Sequence, residues 1–228
     1  MVKGLYASAS GMVAEITRQE VIANNLAHAS SSGFQRQLAS FRATAPVGGT
    51  SPAGPLPLEP GVREASVTTD YSPGTVISTG NPLDVALDGD GFFVIRAPGG
   101  LLYTRDGGFR VGPEGRLETQ DGDPVLGREG EIIVGRGPVT IAADGTVYSN
   151  GVPTGRLQVV EFPEGAGGEI RVVEAPRVLS GYREGSNVNT VREMAAMIAG
   201  YRHYEANQRA IQMQDRTLEQ AAGEVARV

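Results

Sequence analysis

The sequence predicts a mainly β protein with terminal α: an antiparallel all-β central domain flanked by long N- and C-terminal helices that pair in coiled-coil fashion. Three observations carry this reading. Apolar residues at heptad spacing occupy both ends, Asp-Gly and Asn-Gly dipeptides crowd the middle, and 32 glycines with 14 prolines are too many for a helical bundle.

The N-terminal helix is read over residues 4–28. Leu5, Ala9, Met12, Ile16, Gln19, Ala23 and Leu26 alternate spacings of four and three, a heptad seam with one polar interruption. Asn24, Asn25 and Ser30-Ser31-Ser32-Gly33 end it, because these types favour caps and turns over helix interiors. The C-terminal helix spans residues 190–225. Thr190 and Glu193 stand at capping-box spacing, and the seam that follows is Met194, Met197, Tyr201, Tyr204, Gln208, Ile211, Asp215, Leu218, Ala222 and Val225. An apolar seam on one helix is usually a satisfied core face. Two of them at opposite ends of a β protein point to packing on each other, within one subunit or between subunits.

Between the helices, residues 43–61 hold five prolines and four glycines, which forbids a helix and predicts an extended linker. Short β-patterned runs follow at Phe92–Arg96, Leu101–Arg105, Phe109–Val111, Glu131–Val134, Val139–Ala142, Thr146–Tyr148 and Leu157–Phe162. Their punctuation includes Asp88-Gly89, Asp106-Gly107, Asp121-Gly122, Asp144-Gly145 and Asn150-Gly151, the dipeptides that two-residue hairpin turns select. The domain plan is therefore terminal helices at 1–30 and 188–228, connectors at 31–64 and 181–187, and a central β domain at 65–180.

Composition narrows the function. The formal charge is −6 and only Lys3 among 20 basic residues is lysine; no basic, aromatic-interleaved block suits a nucleic acid. Cysteine is absent, which removes disulfides, thiolate nucleophiles and cysteine-ligated metals. No run approaches the roughly 20 apolar residues of a membrane-spanning helix, so direct membrane insertion is not expected. Ser8, Ser10, Glu15, Thr17, Arg18 and Gln19 interrupt the N-terminal stretch, and a cleaved signal peptide is not expected.

Catalysis has little to stand on. The only histidines, His28 and His203, lie in or beside the helical ends and read as solvated or interface residues. Asp84, Asp88 and Asp90 lack calcium-loop spacing and its terminal Glu, and Gly165, Gly167 and Gly168 open no helix that would cradle phosphate. No catalytic residue, cofactor or metal site is predicted. A secreted β-rich adhesin or carbohydrate-active enzyme is the competing class; an enzyme of that kind needs two placed carboxylates in a cleft.

Three ordered motifs resemble the bacterial flagellar rod and hook family. The first runs through Gly4-Leu5-Tyr6, Gly11-Met12, Val21-Ile22-Ala23-Asn24-Asn25-Leu26-Ala27 and Ser32-Gly33-Phe34-Gln35-Arg36. The second is Asn81-Pro82-Leu83-Asp84-Val85-Ala86-Leu87, Gly91-Phe92-Phe93 and Tyr103-Thr104-Arg105-Asp106-Gly107. The third is Glu184-Gly185-Ser186-Asn187-Val188-Asn189, Glu193-Met194, Met197-Ile198 and Tyr201-Arg202-x-Tyr204-Glu205-x-Asn207. His28 departs from the family's usual second Asn.

The resemblance implies a structural axial protein of the periplasmic rod in the flagellar basal body. It would be exported by the flagellar type III apparatus and polymerised with its own copies and other axial proteins into a torque-transmitting tube. The paired terminal helices would line that tube, with the β domain outside. Length and the stretches Pro124-Val125-Leu126-Gly127, Ile141-Ala142-Ala143-Asp144-Gly145 and Gly155-Arg156-Leu157 resemble the proximal-rod branch most, the distal-rod branch being the runner-up. The residues expected to carry assembly are Leu5, Met12, Ile16, Asn24, Asn25, Leu26, Asn187, Asn189, Met194, Met197, Tyr201, Tyr204, Ile211 and Leu218.

Overall fold

The computed structural model describes residues 2–43, 62–162 and 170–225, so the Pro-rich linker lies outside it except for Ala43. Two long helices, α1 (Val2–Ala27) and α2 (Thr190–Val225), enclose the strands in sequence. These are β1 (Gln37–Ala43), β2 (Val62–Thr69), β3 (Val76–Ser78), β4 (Val85–Leu87), β5 (Phe92–Ala97), β6 (Gly100–Thr104), β7 (Arg110–Val111), β8 (Leu117–Glu118) and β9 (Leu126–Gly127). The series continues with β10 (Gly130–Glu131), β11 (Val139–Ile141), β12 (Thr146–Ser149), β13 (Val152–Arg156), β14 (Val159–Glu161), β15 (Arg171–Val172), β16 (Val178–Ser180) and β17 (Tyr182–Glu184). Mostly antiparallel β with a helix at either end is the class the sequence predicts.

The chain divides into two compact units, one of residues 1–27, 37–68 and 189–228, the other of 28–36 and 69–188. In the first, α1 packs along α2 and against β1. The connector expected over 31–64 is partly a ribbon, since β1 pairs with β2. Thr68 Oγ1 donates to Leu38 O, and Ser40 meets Ser66 through their hydroxyls at 2.6 Å; these opposed steps along the two strands make the ribbon antiparallel. Its apolar residues Leu38 and Phe41 are three apart, so no two-residue period announced it.

In the second unit, a four-stranded sheet of order β15-β14-β5-β6 stands with a three-stranded sheet β11-β12-β13 and several two-stranded pairs. Phe93, Phe109, Leu117, Val125, Ile132, Val147 and Leu157 lie at the centre of its larger core, and Phe92, Val94, Leu126 and Val160 form a smaller one. The Asn150-Gly151 turn joins Ser149 to its partner Val152, with φ of 51° and 78°, the positive values that a type I′ turn requires. Asp106-Gly107, in contrast, makes no such hairpin. There the Asp106 carboxylate accepts the Gly108 N–H at 3.1 Å, and a Cβ on Gly107 would lie 1.8 Å from Val85 O.

One ion pair closes this unit. Arg105 Nη1 meets Glu184 Oε2 at 3.2 Å, and both side chains are almost wholly buried. The other carboxylate oxygen accepts the Gly74 N–H at 2.8 Å, the Glu184 carbonyl accepts from Gly33 at 2.9 Å, and the guanidinium lies over the Phe92 ring at 5.2 Å. Segments far apart in sequence thus meet on one carboxylate. Removing one partner from such a pair leaves an uncompensated buried charge. Arg105→Met is therefore expected to cost about 3–5 kcal/mol in urea unfolding, and adding Glu184→Gln should recover part of it. A single-variant loss below about 1 kcal/mol would show that the pair does not hold the unit together.

Candidate assembly interface

The helix pair of the first unit is antiparallel and closely apposed. A Cβ on Gly11 would lie 3.2 Å from Asn207 Nδ2, and one on Gly200 would lie 2.2 Å from Glu15 Oε1. Moving up α1 from 11 to 15 thus moves down α2 from 207 to 200. Each glycine leaves room for the polar side chain opposite because it carries no Cβ.

The face that α2 turns inward follows the expected heptad only in part. Met197, Tyr204 and Ile211, seven apart, are partly buried. Their companions on that face are Glu193, Gly200, Asn207 and Gln214, one residue ahead of the expected Met194, Tyr201, Gln208 and Asp215. Glu193 is 1% exposed. Glu193 and Gly200 thus stand where the sequence reading expected Met194 and Tyr201, and Asn207 and Gln214 where it expected the polar Gln208 and Asp215. On α1, Glu15 is buried, and Met12 and Leu26 are partly buried. Glu15 Oε1 and Gln214 Oε1 are buried without a hydrogen-bond partner, a state that costs free energy.

The displaced apolar side chains point outward. Val191, Met194, Ile198 and Tyr201, spaced three, four and three, are 52–74% exposed and form a stripe about a third of a turn from the seam. Ile16 and Val13 are likewise exposed on α1. Within the chain, Ile16 and Tyr201 therefore keep about half or more of their surface exposed. Leu218 keeps the heptad of Ile211 but is exposed. By the pairing of Gly11 with Asn207 it lies past the start of α1, which is 26 residues long against 36 for α2. Leu5 is in α1, but its side chain is outside the described set.

The motif asparagines have local partners. Asn25, 1% exposed, accepts the Gln37 N–H and donates to the Gln37 carbonyl, both at 2.8 Å; it ties the end of α1 to the start of β1. In the second unit, Asn187 accepts the Arg36 N–H at 2.6 Å and donates to the Asp70 and Ser72 carbonyls, each at 2.9 Å. Asn189, and not Thr190, caps α2: its side chain accepts the Arg192 N–H at 3.0 Å, the geometry of an N-cap residue. Asn24 is exposed. These clamps were missed because a polar residue next to a helix end reads equally as cap, turn or contact residue.

The remaining polar groups serve turns and pairs. The Ser72 hydroxyl and amide hold the Asp70 carboxyl below the usual carboxylate range, and the Thr146 amide and hydroxyl do the same for Asp144. Both shifts come from hydrogen bonds favouring the charged form. Asp84 pairs with Arg183 at 2.9 Å, and His28 stacks on Phe34 with ring centroids 4.7 Å apart. A cavity of about 180 Å³ is lined by Tyr71, Asp90, Gly91, Phe92, Arg105, Glu161 and Phe162. Among the described residues no helix is long and apolar enough to cross a membrane.

If the asparagines are internal clamps, Asn25→Ala and Asn187→Ala should each lower the stability of the isolated chain by about 1–3 kcal/mol, by stranding backbone groups. Asn24→Ala should stay within about 0.5 kcal/mol. Chemical denaturation of the three variants checks this, and similar losses in all three would contradict it.

Comparison with known proteins matches three segments to families. Residues 5–35 match the family described as flagella basal body rod protein, residues 86–149 the flagellar hook protein FlgE/F/G D1 domain, and residues 179–224 the flagellar basal body rod FlgEFG protein C-terminal. The chain is 38% identical to the flagellar basal-body rod protein FlgF of Escherichia coli, over 92% of this chain and 93% of that one. It is 36% identical to FlgF of Salmonella typhimurium over 91% and 92%, and 30% identical to the rod protein FlgG of Buchnera aphidicola (Schizaphis graminum) over 96% and 98%. The chain belongs to the flagellar basal-body rod protein family.

Proposed function

We propose that this chain is a structural subunit of the flagellar basal-body rod, of the FlgF type, and that the outward apolar stripe of α2 is what holds it to its neighbours. It is a building element of the basal body and does no catalysis. FlgG is the runner-up within the same family; the higher identity to FlgF relatives over nearly the whole chain favours the first. The adhesin and carbohydrate-active readings are not favoured.

The observation that carries the assembly reading is the exposure of Val191, Met194, Ile198 and Tyr201 on one helix face, beside a seam with buried unpartnered oxygens. A helix whose best apolar surface faces water gains by covering it. Each such side chain contributes about 1 kcal/mol when its exposed half is buried. In the rod these residues would pack on terminal helices of adjacent axial subunits, with Ile16 and Leu218 extending the contact and Met12, Met197, Tyr204 and Ile211 holding the pair within each subunit. Coiled-coil geometry between subunits, and delivery by the flagellar type III export apparatus, belong to the same proposal.

Met194→Asp and Ile198→Asp place a charge where the isolated chain already exposes the side chain. Both are expected to leave monomer stability within about 0.5 kcal/mol while abolishing complementation of motility in a strain lacking the gene. Motility at the unaltered level with both variants would remove the stripe from the interface.

A further inference from the structure

The four-stranded sheet of the second unit has two open edges. Its order is β15-β14-β5-β6, with each neighbouring pair antiparallel. Among the described residues no further strand or bridge lies on the outer side of β6 or of β15. Edge strands are ordinarily blunted by Lys, Pro, bulges or cover. β6, Gly100-Leu101-Leu102-Tyr103-Thr104, carries neither charge nor proline, and Leu101 and Leu102 are each 52% exposed. At the opposite edge Val172 and the preceding Ile170 are each 46% exposed.

Direction and face make these edges complementary. Three successive antiparallel pairings leave β6 running opposite to β15. A second copy moved alongside without being turned over therefore sets its β15 antiparallel to β6 of the first. Directly opposed residues share a sheet face. Val94 opposes Tyr103, Val160 opposes Phe92, and Val160 opposes Val172, so Tyr103 and Val172 lie on one face. Leu101, two residues from Tyr103, lies there too. The contact would place Leu101 and Val172 side by side as an apolar cross-strand pair.

We propose that β6 of one copy adds β15 of a second copy to its sheet, a head-to-tail contact distinct from the one made by the helices. Such a heterologous contact repeats without turning a subunit round, and so permits a polar, open-ended assembly. Its step is four strand spacings, about 19 Å. Pairing of β6 with β6 would need a two-fold axis and would end at a dimer.

The chain has no cysteine, so site-directed cross-linking has no background. Full-length Leu101→Cys and Val172→Cys chains are mixed and oxidised, and the disulfides are identified by peptide mass spectrometry. A third chain, Asp121→Cys, carries its thiol at an exposed turn away from both edges and serves as control. Circular dichroism verifies that all three fold as the parent does. The 101–172 mixed disulfide is expected at least about tenfold above both the 101–101 disulfide and the 101–121 control. Dominance of 101–101 would mean two-fold closure, and a 101–172 yield no higher than the control would mean that the edges do not recognise each other. Either result overturns the proposal.

Discussion

The packing of α1 on α2, along a seam that sets Glu15, Gly200 and Asn207 among Met12, Met197, Tyr204 and Ile211, is the constraint on which the proposed assembly surface depends. Gly11 faces the Asn207 amide and Gly200 faces the Glu15 carboxylate, and a residue without a Cβ leaves room for each of these polar side chains. The seam buries Glu15 and leaves its Oε1 without a hydrogen-bond partner. On α2, Met197, Tyr204 and Ile211 are partly buried, while Val191, Met194, Ile198 and Tyr201 are exposed. In the proposed function, stability inside the subunit and adhesion between subunits fall to different faces of one helix.

The asparagine clamps serve the same division. Asn25 fixes the chain where α1 gives way to β1, and Asn189 fixes the first turn of α2. Within the second unit Asn187 binds two backbone segments, at Arg36 and at Asp70 and Ser72, close in sequence to the Glu184 that pairs with Arg105. Asn25 is buried and Asn187 partly buried, and polar groups satisfied in this way specify geometry. A rod subunit has to present its helix faces at fixed positions, and such clamps suit that need. The two open sheet edges then offer a second contact whose direction agrees with a polar array.

Much of this was legible in the sequence, for identifiable reasons. The two helices and the central strands β5, β6, β11, β12 and β14 follow from period and turn chemistry, as at Asn150-Gly151. Met197, Tyr204 and Ile211, seven apart on the expected heptad, are partly buried. The other half of the seam was not legible, because a heptad is traced through apolar residues and here Glu193, Gly200, Asn207 and Gln214 take the inner positions. The β1–β2 ribbon lacked alternation, and the cap at Asn189 was hidden by the more conspicuous Thr190 and Glu193. The sheet edges follow from strand order, which periodicity does not encode.

The most direct measurement is thiol accessibility of an Ile198→Cys chain, free in solution and within purified basal bodies. Because the chain has no other cysteine, a maleimide reports on this one position. The free chain is predicted to label at the rate of an exposed thiol, and the assembled chain at least about tenfold more slowly. Equal labelling in both states would contradict the assignment of the α2 stripe to contacts between subunits.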